Sequence, residues 1–285
     1  MRVAPAPLLT ERECAAFIAA RAAGEANLEC TLDLGRTRST VTVAANEWIW
    51  EGRSFPYAER CRPRTIYHWT GSAFDPAARY TTALFKLVPT EWGPPTFEID
   101  GIKMLPTAKV SPYADAERKV GLVAPRGKVV LDTCGGLGYF AAWCLRGGAA
   151  RVLSFEKHAG VLWLRSLNPW SPDSPWQEPA GAALELKEGD IAQEIQALPD
   201  RSVDAILHDP PRFAIAGELY SQAFYGQLAR VLRPGGMLFH YTGAPNSLSR
   251  GRELAREVST RLQRAGFAPE LNGDGVLARA GARSR

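Results

Sequence analysis

The sequence has no apolar run near the ~20 residues that a membrane-spanning helix needs, and no basic segment leading into an apolar one at its start. Neither a membrane anchor nor a signal peptide is therefore expected. Its five cysteines (Cys14, Cys30, Cys61, Cys134 and Cys144) are odd in number and lack CxxC or metal-ligand spacing. Free thiols in a reducing cytoplasm are the simplest expectation. Neither sign of charge dominates: 34 Lys and Arg against 30 Asp and Glu leave +4, which permits a nucleic-acid partner but does not argue for one. Repeats and low-complexity segments are absent as well. What remains is an ordinary globular composition over 285 residues, enough for one large domain or two smaller ones.

The first hundred residues differ in pattern from the rest. Thr10-Glu11-Arg12-Glu13 fits a capping box, and the helical run behind it is expected to stop at Gly24. Short β-rich segments follow at 28–34, 39–44, 47–50, 65–70, 84–88 and 97–99, separated by turn residues as in a small antiparallel domain. From about Lys128 strands and helices alternate. Strands are predicted at 128–133, 151–156, 183–188, 203–209 and 237–242, and helices at 139–146, 161–168, 191–198, 219–232 and 251–265. A hairpin (269–271 and 276–280) then turns at Asn272-Gly273-Asp274-Gly275. The alternation predicts an α/β class, with a Rossmann-like, doubly wound sheet of seven strands whose last hairpin is antiparallel. The expected division is 1–110, a helix plus a β-rich accessory domain, and 111–285, the α/β domain.

Residues 129–139 read as a buried strand that stops at Asp132 and turns through three glycines into a helix. Glycine lets backbone approach a nucleotide closely, and the helix aims its free N–H groups there. The first four predicted strands end in or beside an acid: Asp132, Glu156, Asp190 and Asp209. Any one of them alone reads first as a solvated strand end. Four in register converge on one crevice beyond the carboxyl ends of the strands, where ligands of such sheets bind. Gly136-Leu137-Gly138-Tyr139-Phe140-Ala141 matches the dinucleotide fingerprint, with Glu156 as the ribose acid. S-adenosyl-L-methionine (SAM) competes with a dinucleotide for this turn. It is favoured by Asp132 ahead of the glycines, by Gly189-Asp190 on the adenine side and by Asp209-Pro210-Pro211 after the fourth strand.

The segments LDTCGGLGYFA (131–141), SLNPWS (166–171), HDPPRFAIAGELYSQAFY (208–225), RVLRPGGMLFHYTG (230–243) and SRGRE (249–253) carry a resemblance, joined by FEIDGIKMLPT (97–107). Together they resemble class I SAM-dependent methyltransferases, and within that class a group of predicted, mostly archaeal methyltransferases related to spermidine-synthase-like proteins. Cys134 departs from the class pattern DxGxGxG by replacing its first glycine. The resemblance implies SAM as cofactor, no metal, and contacts from Asp132, Cys134, Gly135, Gly136 and Gly138. Further contacts would come from Tyr139, Glu156, Lys157, Asp190 and Ile191. Tyr113 would cover the cofactor beside Asp115, unless both make ordinary loop contacts.

As in the [D/N]PP segment of amino-methyltransferases, Asp209 and the carbonyl of Pro210 would accept hydrogen bonds from a target NH₂. Arg212 stands where those enzymes carry an aromatic ring, with Phe213 behind it. Its planar fork suits a substrate carboxylate or phosphate, and a salt bridge to Glu218 is the structural alternative. His208 and His240, at the ends of neighbouring strands, are either general bases or rings packed and satisfied in the sheet. Tyr220, Tyr225 and Tyr241 would line the pocket, with helix packing as the alternative for the first two. Trp170, after Asn168-Pro169, reads as a lid or an adenine neighbour, within an ordered surface loop over 169–180. Arginines 250, 252, 256, 261 and 264, interleaved with Glu253 and Glu257, fit a solvated helix face better than a nucleic-acid patch.

The expectation is thus a cytoplasmic SAM-dependent methyltransferase acting on an amine or other nitrogen by direct displacement. A small amine or carboxylated acceptor is favoured over nucleic acid, membranes are not partners, and a homodimer is compatible. Aminopropyl transfer from a SAM derivative and a non-catalytic SAM- or RNA-binding module are the alternatives.

Overall fold

A computed structural model describes residues 5–58, 60–174, 177, 183–213, 215–243 and 250–281, with the side chains of 250–252 outside that description. Two units divide the chain: Met1–Ala114 with Trp163–Pro179, and Asp115–Leu162 with Ala180–Arg285. Parts of the 169–180 loop and of 249–253, including the side chains of Arg250 and Arg252, lie outside the described residues.

The first unit holds β1 (Leu8–Leu9), α1 (Glu11–Ala23), β2 (Asn27–Cys30), β3 (Ser39–Val43), β4 (Glu47–Trp50), β5 (Arg53–Pro56), β6 (Tyr67–Trp69), β7 (Phe74–Pro76), β8 (Ala78–Tyr80), β9 (Leu84–Val88), β10 (Thr96–Ile99) and β11 (Ile102–Lys103). They form three antiparallel sheets, ordered β2-β3-β4-β5, β1-β6-β7 and β11-β10-β9-β8. The capping box forms as Thr10 and Glu13 predict, and Gly24 ends α1 at φ 68°. The apolar side of α1 packs Phe17 on Trp48 (ring centroids 4.7 Å apart), which stacks in turn on Phe55 (4.6 Å).

One expectation is corrected here: the cysteines are not all free thiols. Cys14 on α1 and Cys61 after β5 are joined in a disulfide, their Cα atoms 6.3 Å apart across 47 residues of sequence, while Cys30, Cys134 and Cys144 are free. Spacing along the chain carried no sign of this pair, because the fold brings them together from separate elements. Closing a loop of that length is expected to stabilise the folded chain by about 2–4 kcal/mol. Cys14→Ser should therefore lower the melting temperature by several degrees under non-reducing conditions. An unchanged melting temperature would show that the cross-link contributes nothing.

The second unit begins within α2 (Pro112–Val123). There follow β12 (Val129–Asp132), α3 (Tyr139–Arg146), β13 (Arg151–Glu156), α4 (Ala159–Leu167, whose last turns belong to the first unit), β14 (Leu184–Glu188) and α5 (Ile191–Glu194). Next come β15 (Val203–His208), α6 (Gln222–Val231), β16 (Leu232–Tyr241), α7 (Arg250–Arg264), β17 (Phe267–Asn272) and β18 (Gly275–Ala280). The seven strands make one sheet ordered β14-β13-β12-β15-β16-β18-β17. The first five are parallel and the β17–β18 hairpin is antiparallel, as the alternation predicts. The order reverses between β12 and β15, which puts the switch point where β12 ends in Asp132 and β15 leads into Asp209. Val130, Leu131, Ala205, Ile206 and Leu207 are fully buried, as expected of central strands covered on both faces.

Four elements differ from the sequence expectation. Residues 112–123, given no element from the sequence, form α2: Pro112 takes the first helical position and the Ser111 hydroxyl accepts from the Tyr113 N–H at 3.3 Å. The expected helix 219–232 divides into a 3₁₀ turn (Gly217–Tyr220) and α6, because the Ser221 hydroxyl accepts from the Phe224 N–H and starts a new helix. The expected helix 191–198 is one α turn followed by a 3₁₀ turn at Ile195–Ala197. Finally, β16 extends back to Leu232, which pairs with Val203. No helix among the described residues is long and apolar enough to cross a membrane.

Candidate functional site

The glycine turn after β12 is shaped by backbone bonds. The Gly135 N–H donates to the Phe155 carbonyl and the Gly138 N–H to the Gly135 carbonyl, both at 2.7 Å. Gly136 (φ 50°) and Gly138 (φ 77°) occupy left-handed backbone that favours glycine, and Gly138 starts α3, so Tyr139 lies in its first turn. Glu156 at the end of β13 grips this turn. One carboxylate oxygen accepts from the Gly136 N–H and the other from the His158 N–H, each at 2.9 Å. Asp132, buried at the end of β12, accepts from the Ser154 hydroxyl at 2.8 Å. Asp190 caps α5 through the Ala192 N–H and pairs with the Lys157 ammonium at 2.7 Å. Although burial opposes it, the Lys157 bond holds the Asp190 carboxyl below the usual carboxylate range. Ile191 is buried beside it. Burial pushes the Cys134 thiol well up, so it stays neutral. Acceptors at the ends of three adjacent strands beside the glycine turn fit a ligand rich in hydrogen-bond donors.

The fourth acid is not alone. Lys119 of α2 sends its ammonium to Asp115 at 2.8 Å and to Asp209 at 3.4 Å, with the lysine side chain 1% exposed and that of Asp209 21% exposed. The same ammonium lies 3.8 Å from the centroid of the Tyr241 ring. Burial disfavours the ammonium, but the two carboxylates outweigh it and hold Lys119 above the ordinary lysine range. Burial likewise pushes the Asp209 carboxyl up, against the opposing pull of Lys119. The adjacent Arg118 donates to Asp115, one helical turn before it, at 2.9 Å and to both oxygens of Asp274, in the β17–β18 turn, at 2.8 and 2.7 Å. Sequence reading missed Lys119 and Arg118. The signal was the spacing of Tyr113, Ala116, Val120 and Val123, all buried, behind Ser111-Pro112.

His208 and His240 pair in register on β15 and β16, their rings 4.4 Å apart, and both are fully buried. The Thr133 hydroxyl bonds His208 Nδ1 at 2.7 Å, and His208 Nε2 donates to the Leu219 carbonyl at 3.1 Å. Tyr225 bonds His240 Nε2 at 2.9 Å, while His240 Nδ1 donates to the Tyr241 carbonyl at 2.8 Å. All four ring nitrogens are engaged, and burial pulls both rings to low pKa, His208 to about 4. This is the packed and satisfied arrangement, not that of a free base.

Beyond Asp209 the chain turns outward. Pro210 is buried, and the Tyr220 hydroxyl donates to the Pro211 carbonyl at 3.0 Å. Arg212 and Phe213 are exposed, and Phe213 stands edge-on to Tyr220 with centroids 5.4 Å apart. Arg212 forms no ion pair with Glu218 or any other acid among the described residues. Tyr113 belongs to the first unit, where its ring lies 5.2 Å from that of Trp170, whose indole N–H donates to the Leu34 carbonyl. On α7, Arg261 lies 3.7 Å from Glu257, a helix-face pair of the expected kind.

Residues 175–270 match the sequence profile of a family described as S-adenosyl-L-methionine-dependent methyltransferases. An uncharacterized protein of Methanocaldococcus jannaschii is 44% identical over 192 residues, 67% of this chain and 64% of its own length. A polyamine aminopropyltransferase of Streptomyces coelicolor is 30% identical over 134 residues, 46% of this chain and 24% of that enzyme. The chain thus spans less than two thirds of either relative. Among solved structures, a spermidine synthase in complex with a transition-state analogue superposes with a TM-score of 0.54 at 16% identity, covering 71% of this chain and 72% of the other. Spermidine synthase from Thermotoga maritima gives 0.53 at 16% identity, covering 71% of each. These two likenesses concern the fold. Residues 175–270 thus carry a segment similar to SAM-dependent methyltransferases, within a sheet of the fold that the two spermidine synthases share.

Proposed function

We propose that the chain is a SAM-dependent transferase that moves a methyl group by direct displacement onto an acceptor nitrogen held at Asp209. The observation that carries this reading is the row of acids at the ends of four adjacent strands. Asp190 follows β14, Glu156 ends β13, Asp132 ends β12 and Asp209 follows β15, around the glycine turn. SAM supplies an electrophilic methyl on a sulfonium. Asp132 would accept from its amino group, Glu156 from the ribose hydroxyls and Asp190 from the adenine side, where Lys157 orients the carboxylate. Asp209 and the Pro210 carbonyl would hold the acceptor N–H groups so that the nitrogen lone pair faces the methyl carbon. As the nitrogen–carbon bond forms, the carbon–sulfur bond breaks, the positive charge passes to nitrogen, and the N–H proton leaves to water. Positioning supplies most of the rate in such a step, so His208 and His240 need not act as bases.

Calorimetry tests the cofactor half. Native protein is expected to bind SAM and S-adenosylhomocysteine, and Asp132→Ala to bind them about 10–100-fold more weakly, the worth of a charge-assisted hydrogen bond. Absence of binding by native protein would sink the proposal, and normal binding by the variant would remove the role given to Asp132. A second reading, aminopropyl transfer from a decarboxylated SAM, is supported by the spermidine-synthase-like sheet and the Streptomyces relative. Its co-product would be methylthioadenosine instead of S-adenosylhomocysteine. The Lys119 ammonium on Asp209 counts against it, since a polyamine needs that acid uncompensated.

A further inference from the structure

We infer that Lys119 determines acceptor specificity: its ammonium fills the cation position at Asp209, so the acceptor nitrogen must be uncharged and weakly basic, as in an aromatic amine or heteroaromatic ring. The inference rests on reading Asp209 as the acceptor's anchor. Two carboxylates below the face of an aromatic ring form a receptor for an ammonium ion. Here the receptor is complete, with Asp115, Asp209 and the Tyr241 ring, and the chain's own lysine occupies it. The occupant is fixed by its surroundings. Asp115 lies one helical turn before it, and Arg118 ties that same carboxylate to Asp274 of the hairpin. A second ammonium brought to Asp209 would meet this buried like charge a few ångströms away, with little water to screen it. A neutral N–H donor meets no such repulsion. Lys119 takes Asp209 Oδ2, and Oδ1 makes no hydrogen bond among the described residues.

The histidines point the same way independently. An alkylammonium acceptor has no lone pair until a base removes its proton, yet every ring nitrogen of His208 and His240 is already bonded and buried. A weakly basic nitrogen arrives with its lone pair free and needs no base.

The test is titration of 1,4-diaminobutane into protein saturated with S-adenosylhomocysteine. Saturation is itself read by calorimetry, so that failure to bind the cofactor refutes the functional reading separately. Native protein is expected to show no saturable diamine binding at millimolar concentration. Lys119→Ala is expected to gain diamine affinity by about tenfold or more, and to be raised in melting temperature by the diamine, because the added ammonium replaces the missing one. Lys119→Arg should keep the exclusion, which a merely structural role would not predict. If Lys119→Ala does not fold, Lys119→Met combined with Asp115→Asn removes charge in balance and carries the same expected gain. Native binding of the diamine that Asp209→Asn abolishes, or no gain in a folded Lys119 variant, would overturn the inference.

Discussion

Asp209→Ala is expected to lower turnover about 100-fold or more while SAM affinity stays within about twofold. The split follows from where Asp209 sits. It lies beyond β15, across the switch point from the acids assigned to the cofactor, and its ion-pair partner among the described residues is Lys119. Losing it removes an acceptor that orients the target nitrogen but no group expected to touch the nucleoside. Asp209→Asn keeps an oxygen acceptor and should fall between native and alanine. S-adenosylhomocysteine formed in a single turnover, with a small-molecule extract that supports the native protein, measures the rate, and calorimetry measures the cofactor. Equal losses of rate and cofactor affinity would show that Asp209 belongs to the cofactor site instead.

The second large effect is on stability against acid. His208 is buried neutral, its pKa lowered from 6.5 to about 4, and His240 is lowered well below 6.5. In the unfolded chain both titrate near 6.5. Between pH 6.5 and 4 the unfolded state therefore binds more protons, and folding free energy is lost as pH falls through that window. For His208 alone the loss is about 3 kcal/mol at pH 4, a large share of a typical domain's stability. Denaturant unfolding of native protein and His208→Gln at several pH values between 7.5 and 4 checks this. The variant is expected to start less stable, because the Thr133 and Leu219 bonds are disturbed, but to lose less on acidification. Parallel pH curves for the two proteins would refute the assignment.

The sheet was legible because its strands are short apolar runs with acids or glycines at their ends, and because a helical pattern separates each parallel pair. The acids at 132, 156, 190 and 209 could be read for the same reason: each closes a run whose period is plain. What could not be read were facts about partners distant in sequence. Nothing near position 119 announces that its ammonium meets Asp209, 90 residues on, or that Arg118 reaches Asp274, 156 residues on. The Cys14–Cys61 pair is hidden in the same way. Sequence left the two histidines open between catalysis and packing, and only the hydrogen bonds from Thr133 and Tyr225 separate these roles. For α2 the signal is local: Ser111, Pro112 in the first turn and the buried spacing of Tyr113, Ala116, Val120 and Val123 all lie in the sequence.

Translation adds a constraint that the finished fold conceals. Strand β18 is made after every other strand of its sheet, yet it lies between β16 and β17. While the ribosome is still making residues 275–280, β16 lacks its outer neighbour. Asp274, which anchors Arg118, emerges only just before them. The nascent chain thus carries the glycine turn, the row of acids, Lys119 and Tyr241 before the Asp274 carboxylate that ties down Arg118 exists. A chain that ends before residue 274 should therefore lack both the outer neighbour of β16 and the carboxylate that fixes Arg118 beside Lys119.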